Sequence, residues 1–295
     1  MTQLMRIWFP VVACFALSAC APTAPEASDN NPPPPREIQT QKIASPASVG
    51  STVLPAAPSH LIPAKVAEPI LPSSYHTLTW KGVSISAVCY DDREFELRVA
   101  DQPNGCGSLW MNAKSAAIAH RGIAAINGGF FTPEGKPLGL LVADGSKRGS
   151  LNTSSLGAGF YSSSPAGSAL FRRSSPSSTD PTLNARQLLQ SGPMLVAEDT
   201  VINGLSNDKM RRRSFLAWNG GHHWVMGQAG PTTLHALANT LSDLPIGNIR
   251  ISAALNLDGG TSSDLWVGAK IPNGNRSHRS LFNKPVRNYL VLTAR

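Results

Sequence analysis

Apolar and polar residues alternate over several stretches of the chain. Val83, Ile85 and Ala87 are separated by Ser84 and Ser86, and Phe95, Leu97 and Val99 repeat that spacing. Alternation with period two predicts strands that turn one face inward. Ile123 to Ile126 is an unbroken apolar run leading into Asn127-Gly128-Gly129, which predicts a buried strand. Phe215 to Trp218 and Trp224 to Met226 flank Asn219-Gly220-Gly221, a hairpin signal. Ile251 to Leu257 predicts a strand ahead of Asp258-Gly259-Gly260, and Tyr289 to Leu292 a last one. Two segments carry the helical period instead. Ala113 to Arg121 predicts a short helix stopped by Gly122. Leu234, Leu237, Ala238, Leu241 and Leu244 share one face of a helix over Thr232 to Leu244, with Thr232 as N-cap. Strands outnumber helices, and hairpins coexist with a helix-then-strand unit. The expected fold class is therefore α+β (mixed α/β), a mixed β-sheet core with packed helices in a single domain.

The N-terminal region has neither period. Arg6 precedes an apolar run, Ile7 to Leu17, that is too short to span a bilayer. The run ends in Leu17-Ser18-Ala19-Cys20, the pattern of a bacterial lipoprotein signal with cleavage before Cys20 and lipid on its thiol. From residue 21 to 74 the chain is rich in Pro, Ala, Ser and Glu, with Pro32 to Pro35 in a row. Such a segment cannot offset its ordering entropy and predicts a disordered tether. The expected organisation is a signal over residues 1–20, a tether over 21–74 and a folded domain over 75–295. The protein is expected to be exported and lipid-anchored to a bacterial membrane, with its domain facing the periplasm or the cell exterior. Once Cys14 leaves with the signal and Cys20 carries lipid, Cys89 and Cys106 remain as a pair. An oxidising compartment predicts a disulfide between them, with two buried free thiols as the alternative.

Composition narrows the chemistry. Hydrophobic residues make up 41% and charged residues 15%, which is enough for a sizeable core. The formal net charge is +8. No helix-turn-helix, RNP or zinc-finger pattern accompanies it, so nucleic acid is not an expected partner. The basic balance suits an anionic small or polymeric substrate. There is no G-x-S-x-G elbow, no P-loop and no H-E-x-x-H. Asp264 is near Asp258 in sequence, but two acids among hydroxyls make no dedicated metal cage. No metal or cofactor is expected, although a divalent cation is left open.

Two segments share one layout. Ile123 to Phe131 and Ala253 to Ser263 each run from an apolar strand into a polar residue and paired glycines. A strand fixes the polar residue at the edge of a crevice. Glycines let a ligand approach the main chain, and successive N–H groups in such turns cradle anions. Ser191-Gly192-Pro193 forms a third corner, and Arg211-Arg212-Arg213-Ser214 precedes a strand. A guanidinium there suits bidentate contact with phosphate.

Asn127-Gly128-Gly129-Phe130-Phe131, Ser191-Gly192-Pro193, Arg213-Ser214 and Leu257-Asp258-Gly259-Gly260-Thr261-Ser262-Ser263 occur in that order. From about Ile118 onward the chain resembles the phosphodiester glycosidase family. The resemblance implies hydrolysis of a bond between a sugar and a phosphate. It carries over to Asn127, Gly128, Gly129, Arg213, Asp258, Gly259 and Gly260. Where the family has Arg-Pro-Val-x-Asn, this chain has Lys284-Pro285-Val286-Arg287-Asn288, which removes a fork-shaped guanidinium unless Arg287 supplies one. A phosphate is a good leaving group from an anomeric carbon, so a base or nucleophile and a cationic phosphate site are the main needs. Asp258 is the expected base or nucleophile, Arg213 the phosphate partner and Asn127 an orienting group. Substrate contacts are expected from Gly128, Gly129, Phe130, Ser191, Gly192, Arg212, Gly259, Gly260, Thr261, Ser262 and Asn288. The expected substrate is a sugar phosphate or phosphoglycan. A non-catalytic glycan-binding lipoprotein and a hydrolase of another bond are the alternatives.

Overall fold

A computed structural model describes residues 68–173 and 184–295. The expected signal, Cys20 and most of the expected tether lie outside those residues. Glu68 to Ser74, at the tether's end, lie on the domain. Glu68 pairs with His223 Nδ1 at 2.9 Å, and the Leu71 N–H donates to Asp91 Oδ2 at 3.0 Å.

Three antiparallel sheets build the domain. The first is seven-stranded, in the order β1 (Ser74–Trp80), β2 (Val83–Asp91), β13 (His223–Thr232), β12 (Arg211–Trp218), β14 (Ala253–Asn256), β10 (Met194–Ala197) and β11 (Thr200–Val201). The second has five strands: β16 (Arg276–Ser277), β15 (Leu265–Val267), β4 (Ala124–Asn127), β17 (Asn288–Ala294) and β3 (Phe95–Asp101). The third also has five: β6 (Ser146–Arg148), β5 (Leu141–Ala143), β9 (Gln187–Ser191), β7 (Gly159–Ser164) and β8 (Gly167–Arg172). Among the described residues the α-helices are α1 (Ala113–Ala119) and α2 (Leu234–Asp243).

Alternation along each strand of the first sheet explains the layering. Val83, Ile85, Ala87, Phe215, Ala217, Val225 and Ala254 point to one side, where Leu237, Ala238 and Leu241 of α2 cover them. Val88, Tyr90, Leu216, Trp224, Met226 and Leu255 point to the other. There they share one core with Leu97, Ile126, Leu265 and Leu290 of the second sheet and with Leu141, Tyr161 and Leu189 of the third. Helix α1 covers the outer face of the second sheet, with Ala116 and Ala117 against Ala125, Tyr289 and Val291.

This architecture corrects the expected α+β class with its mixed sheet. The described residues are mostly β, and every ladder among them is antiparallel. Helix α2 does connect two strands that run the same way, β13 and β14. They are not neighbours, because β12 lies between them and pairs antiparallel with both. A helix-then-strand unit in sequence signals a parallel ladder only when its strands become neighbours. Both expected helices form, but the N-cap of α2 is Thr233, whose Oγ1 accepts the Ala236 N–H at 3.1 Å. Thr232 ends β13 instead, opposite Arg211.

The expected Cys89–Cys106 disulfide is not formed, and both thiols are free. Cys89 points into the core under α2 and donates to the Ile246 carbonyl at 3.5 Å, where burial pushes its thiol up to about 12. Cys106 lies in the loop between β3 and α1, against Gly135.

Candidate active site

The ends of several buried strands meet at one seam between the first and second sheets. Asn127, the last residue of β4, is fully buried there. Its Nδ2 donates to the Asp258 carbonyl at 2.6 Å. Its Oδ1 accepts from Ser214 Oγ at 2.7 Å and from the Asp264 N–H at 3.0 Å. Only a side chain that both donates and accepts can join these groups, which selects an amide over a carboxylate. The Asp258 N–H in turn donates to the Gly128 carbonyl at 3.1 Å. Gly129 N–H donates to Asn288 Oδ1 at 2.9 Å, and a Cβ on Gly128 would overlap that same oxygen. The first Asn-Gly-Gly corner thus sets the position of the second, Asp-Gly-Gly, one.

Ser191 and Gly192 brace the strand that carries Asp258. Ser191 Oγ donates to the Asn256 carbonyl at 2.9 Å, and Asn256 Nδ2 donates to the Gly192 carbonyl at 2.9 Å. Phe130 is half-buried, and its carbonyl accepts the Leu138 N–H at 2.9 Å.

Asp258 follows β14 and faces a cavity of about 510 Å³ lined by Arg211, Arg212, the turn from Gly259 to Ser262, Ser280, Phe282 and Asn283. The Gly259 N–H donates to Asp258 Oδ1 at 2.9 Å, and the Ser262 side chain bonds the carboxyl as well. Burial outweighs these bonds and raises Asp258 above the ordinary carboxylate range. A carboxyl lifted in this way, in a cleft that two arginines also line, is suited to proton transfer or nucleophilic attack. A Cβ on Gly259 would lie 2.8 Å from the Arg212 carbonyl oxygen, so the turn can pack on the arginine strand only as glycine. A second cavity of about 430 Å³ is lined by Leu156, Pro193, Met194, Ile202 and Leu234 with Arg172 and Arg173. Among the described residues that line it there is no carboxylate.

Expected residues divide accordingly. Asp258, Arg212, Gly259, Gly260, Thr261 and Ser262 line the cavity. Asn127, Gly128, Gly129, Ser191, Gly192 and Asn288 form the buried frame beneath it. Arg213 points elsewhere, with its Nε on the Thr232 carbonyl at 3.2 Å and its Nη2 on the Lys209 carbonyl at 2.7 Å. The register with β13 shifts between Arg211 and Arg213, and the extra residue lies on β13. Arg211 and Arg212, at the start of β12, both line the cavity. Arg287 supplies no fork to the cavity. It is buried against Asp101, with Nε–Oδ1 at 2.7 Å and Nη2–Oδ2 at 2.9 Å. Ser280, Phe282 and Asn283 are cavity residues that the motifs did not identify, and Arg211 was marked only as part of the arginine run.

Asp264, Asp91 and Asp92 are engaged by other partners. Asp264 Oδ2 accepts the Ala113 N–H at 2.9 Å and pairs with Arg279 at 2.8 Å. Among the described residues, Asp91, Asp92 and His222 bring ligand atoms within 4.8 Å of one another. Both Asp91 oxygens accept from Arg93, and Asp92 bonds His222 Nδ1 at 2.8 Å and Trp224 Nε1 at 3.2 Å. These partners account for the carboxylates as an ion-pair network.

The model of the phosphodiester glycosidase family matches residues 120–293, which span the Asn-Gly-Gly corner, the arginine strand and the Asp258 turn. The chain belongs to the phosphodiester glycosidase family. Solved structures resemble this family member over about three quarters of its chain. The auto-inhibited catalytic domain of zebrafish N-acetylglucosamine-1-phosphodiester alpha-N-acetylglucosaminidase superposes with a TM-score of 0.56 at 19% identity, covering 78% of this chain and 85% of that one. A hypothetical protein from Synechocystis gives 0.56 at 15% identity, covering 75% of this chain and 61% of that one. At such identities the likeness shows a common fold. No curated protein matches the chain.

Proposed function

We propose that this protein is an exported, lipid-anchored hydrolase of a glycosyl-1-phosphodiester bond in a sugar phosphate or an envelope phosphoglycan. A single raised carboxyl facing a cavity with two arginines carries this reading. The phosphodiester would sit against Arg211, Arg212 and the N–H groups of the Gly259–Gly260 turn. These groups neutralise charge that grows on the leaving phosphate as the glycosidic bond breaks. Asp258 acts on the sugar side, as base toward water or as nucleophile at the anomeric carbon. Asn127 fixes the Asp258 main chain and acts through it as a positioning residue. The family membership and the bond class in the zebrafish enzyme's name support the same chemistry. The Leu17-Ser18-Ala19-Cys20 pattern supports the anchor.

The test is hydrolysis by the purified domain of a sugar-1-phosphate diester and of an aryl glycoside of the same sugar. Cleavage of the diester is expected. Cleavage of the glycoside alone would point to another bond, and cleavage of neither to a glycan-binding protein.

A further inference from the structure

Two large apolar residues stand in solvent at the mouth of the Asp258 cavity. Leu281 is 99% exposed and Phe282 is 82% exposed, and Phe282 lines the cavity itself. Their exposure does not come from a loose loop. The Asn283 side chain donates to the Ser263 carbonyl, and Arg279 Nη2 donates to the Asn283 carbonyl at 2.8 Å. The Lys284 N–H donates to the Thr261 carbonyl at 3.3 Å, and Asn283 N–H to the Ser280 carbonyl at 3.1 Å. These bonds tie both ends of the segment to the Asp258 turn and hold the apolar pair outward. Adjacent exposed apolar side chains on an anchored loop at a ligand cavity mark a contact surface.

The side on which they stand identifies what they touch. Arg212 Nη2 donates to the carbonyl of His278, in the strand of chain that runs into this loop. A phosphate held by Arg212 therefore has the loop as its neighbour, with the sugar toward Asp258. The group beyond the phosphate is the alcohol esterified to it. We infer that Leu281 and Phe282 receive an apolar alcohol moiety, so that the preferred substrate is a glycosyl phosphodiester of an alkyl or lipid alcohol. This inference rests on the proposed bond specificity. A cationic pocket bordered by an apolar step matches an anionic link bordered by an apolar chain.

The experiment compares octyl and methyl esters of one glycosyl-1-phosphate as substrates of the soluble domain. The wild type is expected to favour the octyl ester by about tenfold or more in kcat/KM, mainly through KM. Phe282→Ala combined with Leu281→Ala should bring that ratio to about twofold or less, whereas Phe282→Trp should keep it. Equal turnover of both esters by the wild type overturns the inference and leaves the bond specificity standing. An octyl preference that survives in the double variant also overturns it. Turnover of neither ester removes the bond specificity and the inference with it.

Discussion

Asp258 is held by a main-chain N–H and a hydroxyl, yet burial raises its carboxyl above the usual range. Two consequences follow, with opposite pH dependence. The proposed reaction uses the carboxylate, so kcat/KM is expected to fall on the acid side with a limb above the ordinary aspartate value of about 3.9. A pH–rate profile checks this, and a limb at or below that value would contradict it. For stability, the folded carboxyl binds a proton more readily than the unfolded one. Its favourable contribution is present below about pH 3.9 and is lost as pH rises through the raised folded value. Asp258→Asn is therefore expected to be at least as stable as the wild type at pH 7, with the difference shrinking in acid. Urea unfolding at both pH values measures it. Asn127 behaves differently, because it satisfies Ser214, Asp264 and Asp258 at once in the buried seam. Asn127→Ala leaves those groups without partners and should cost about 3 kcal/mol in unfolding free energy.

At the scale of elements, strands supply position and turns supply chemistry. The Asn127-Gly128-Gly129 corner leaves β4 and carries the Asp258 turn, and it has no room for a side chain at Gly128. Gly128→Ala should destabilise the domain by about 2–3 kcal/mol as Asn288 is displaced, read as a lower urea midpoint at unchanged slope. Elements with a clean period were legible in the sequence. The alternations at Val83 and Phe95, the buried runs before Asn127 and Asp258, and both helices form where the pattern puts them. The third sheet was not legible. Its strands read Ser-Lys-Arg, Gly-Phe-Tyr-Ser-Ser-Ser and Gln-Leu-Leu-Gln-Ser, which alternate weakly or lie buried on both faces. Much of the site frame was visible as motifs because glycines and asparagines at strand ends reflect steric and hydrogen-bonding demands. Which arginine reaches the cavity was not visible. The arginines' partners are distant in sequence: Arg212 bonds the His278 carbonyl and Arg213 the Thr232 carbonyl. The loop bearing Phe282 was missed for a related reason, since its anchors are contacts to residues about twenty positions away.

The whole chain carries a formal net charge of +8, and two arginines line the cavity. Such a charge steers anions and is screened by salt. kcat/KM for the phosphodiester is expected to fall about threefold or more between roughly 0.05 and 0.3 M NaCl. The same assay on a neutral aryl glycoside serves as the reference, and equal salt dependence for both would contradict charge recognition. Three sheets share one core, and the seam between two of them brings together Asn127, Ser214 and Asp258 from distant parts of the chain. The most direct test of that convergence is turnover of a sugar-1-phosphate diester by Asp258→Asn in a domain shown by circular dichroism to be folded. A loss of about a thousandfold in kcat, with unfolding stability retained, is the expected result. Full activity in the folded variant would contradict the assignment of this cavity as the reaction centre.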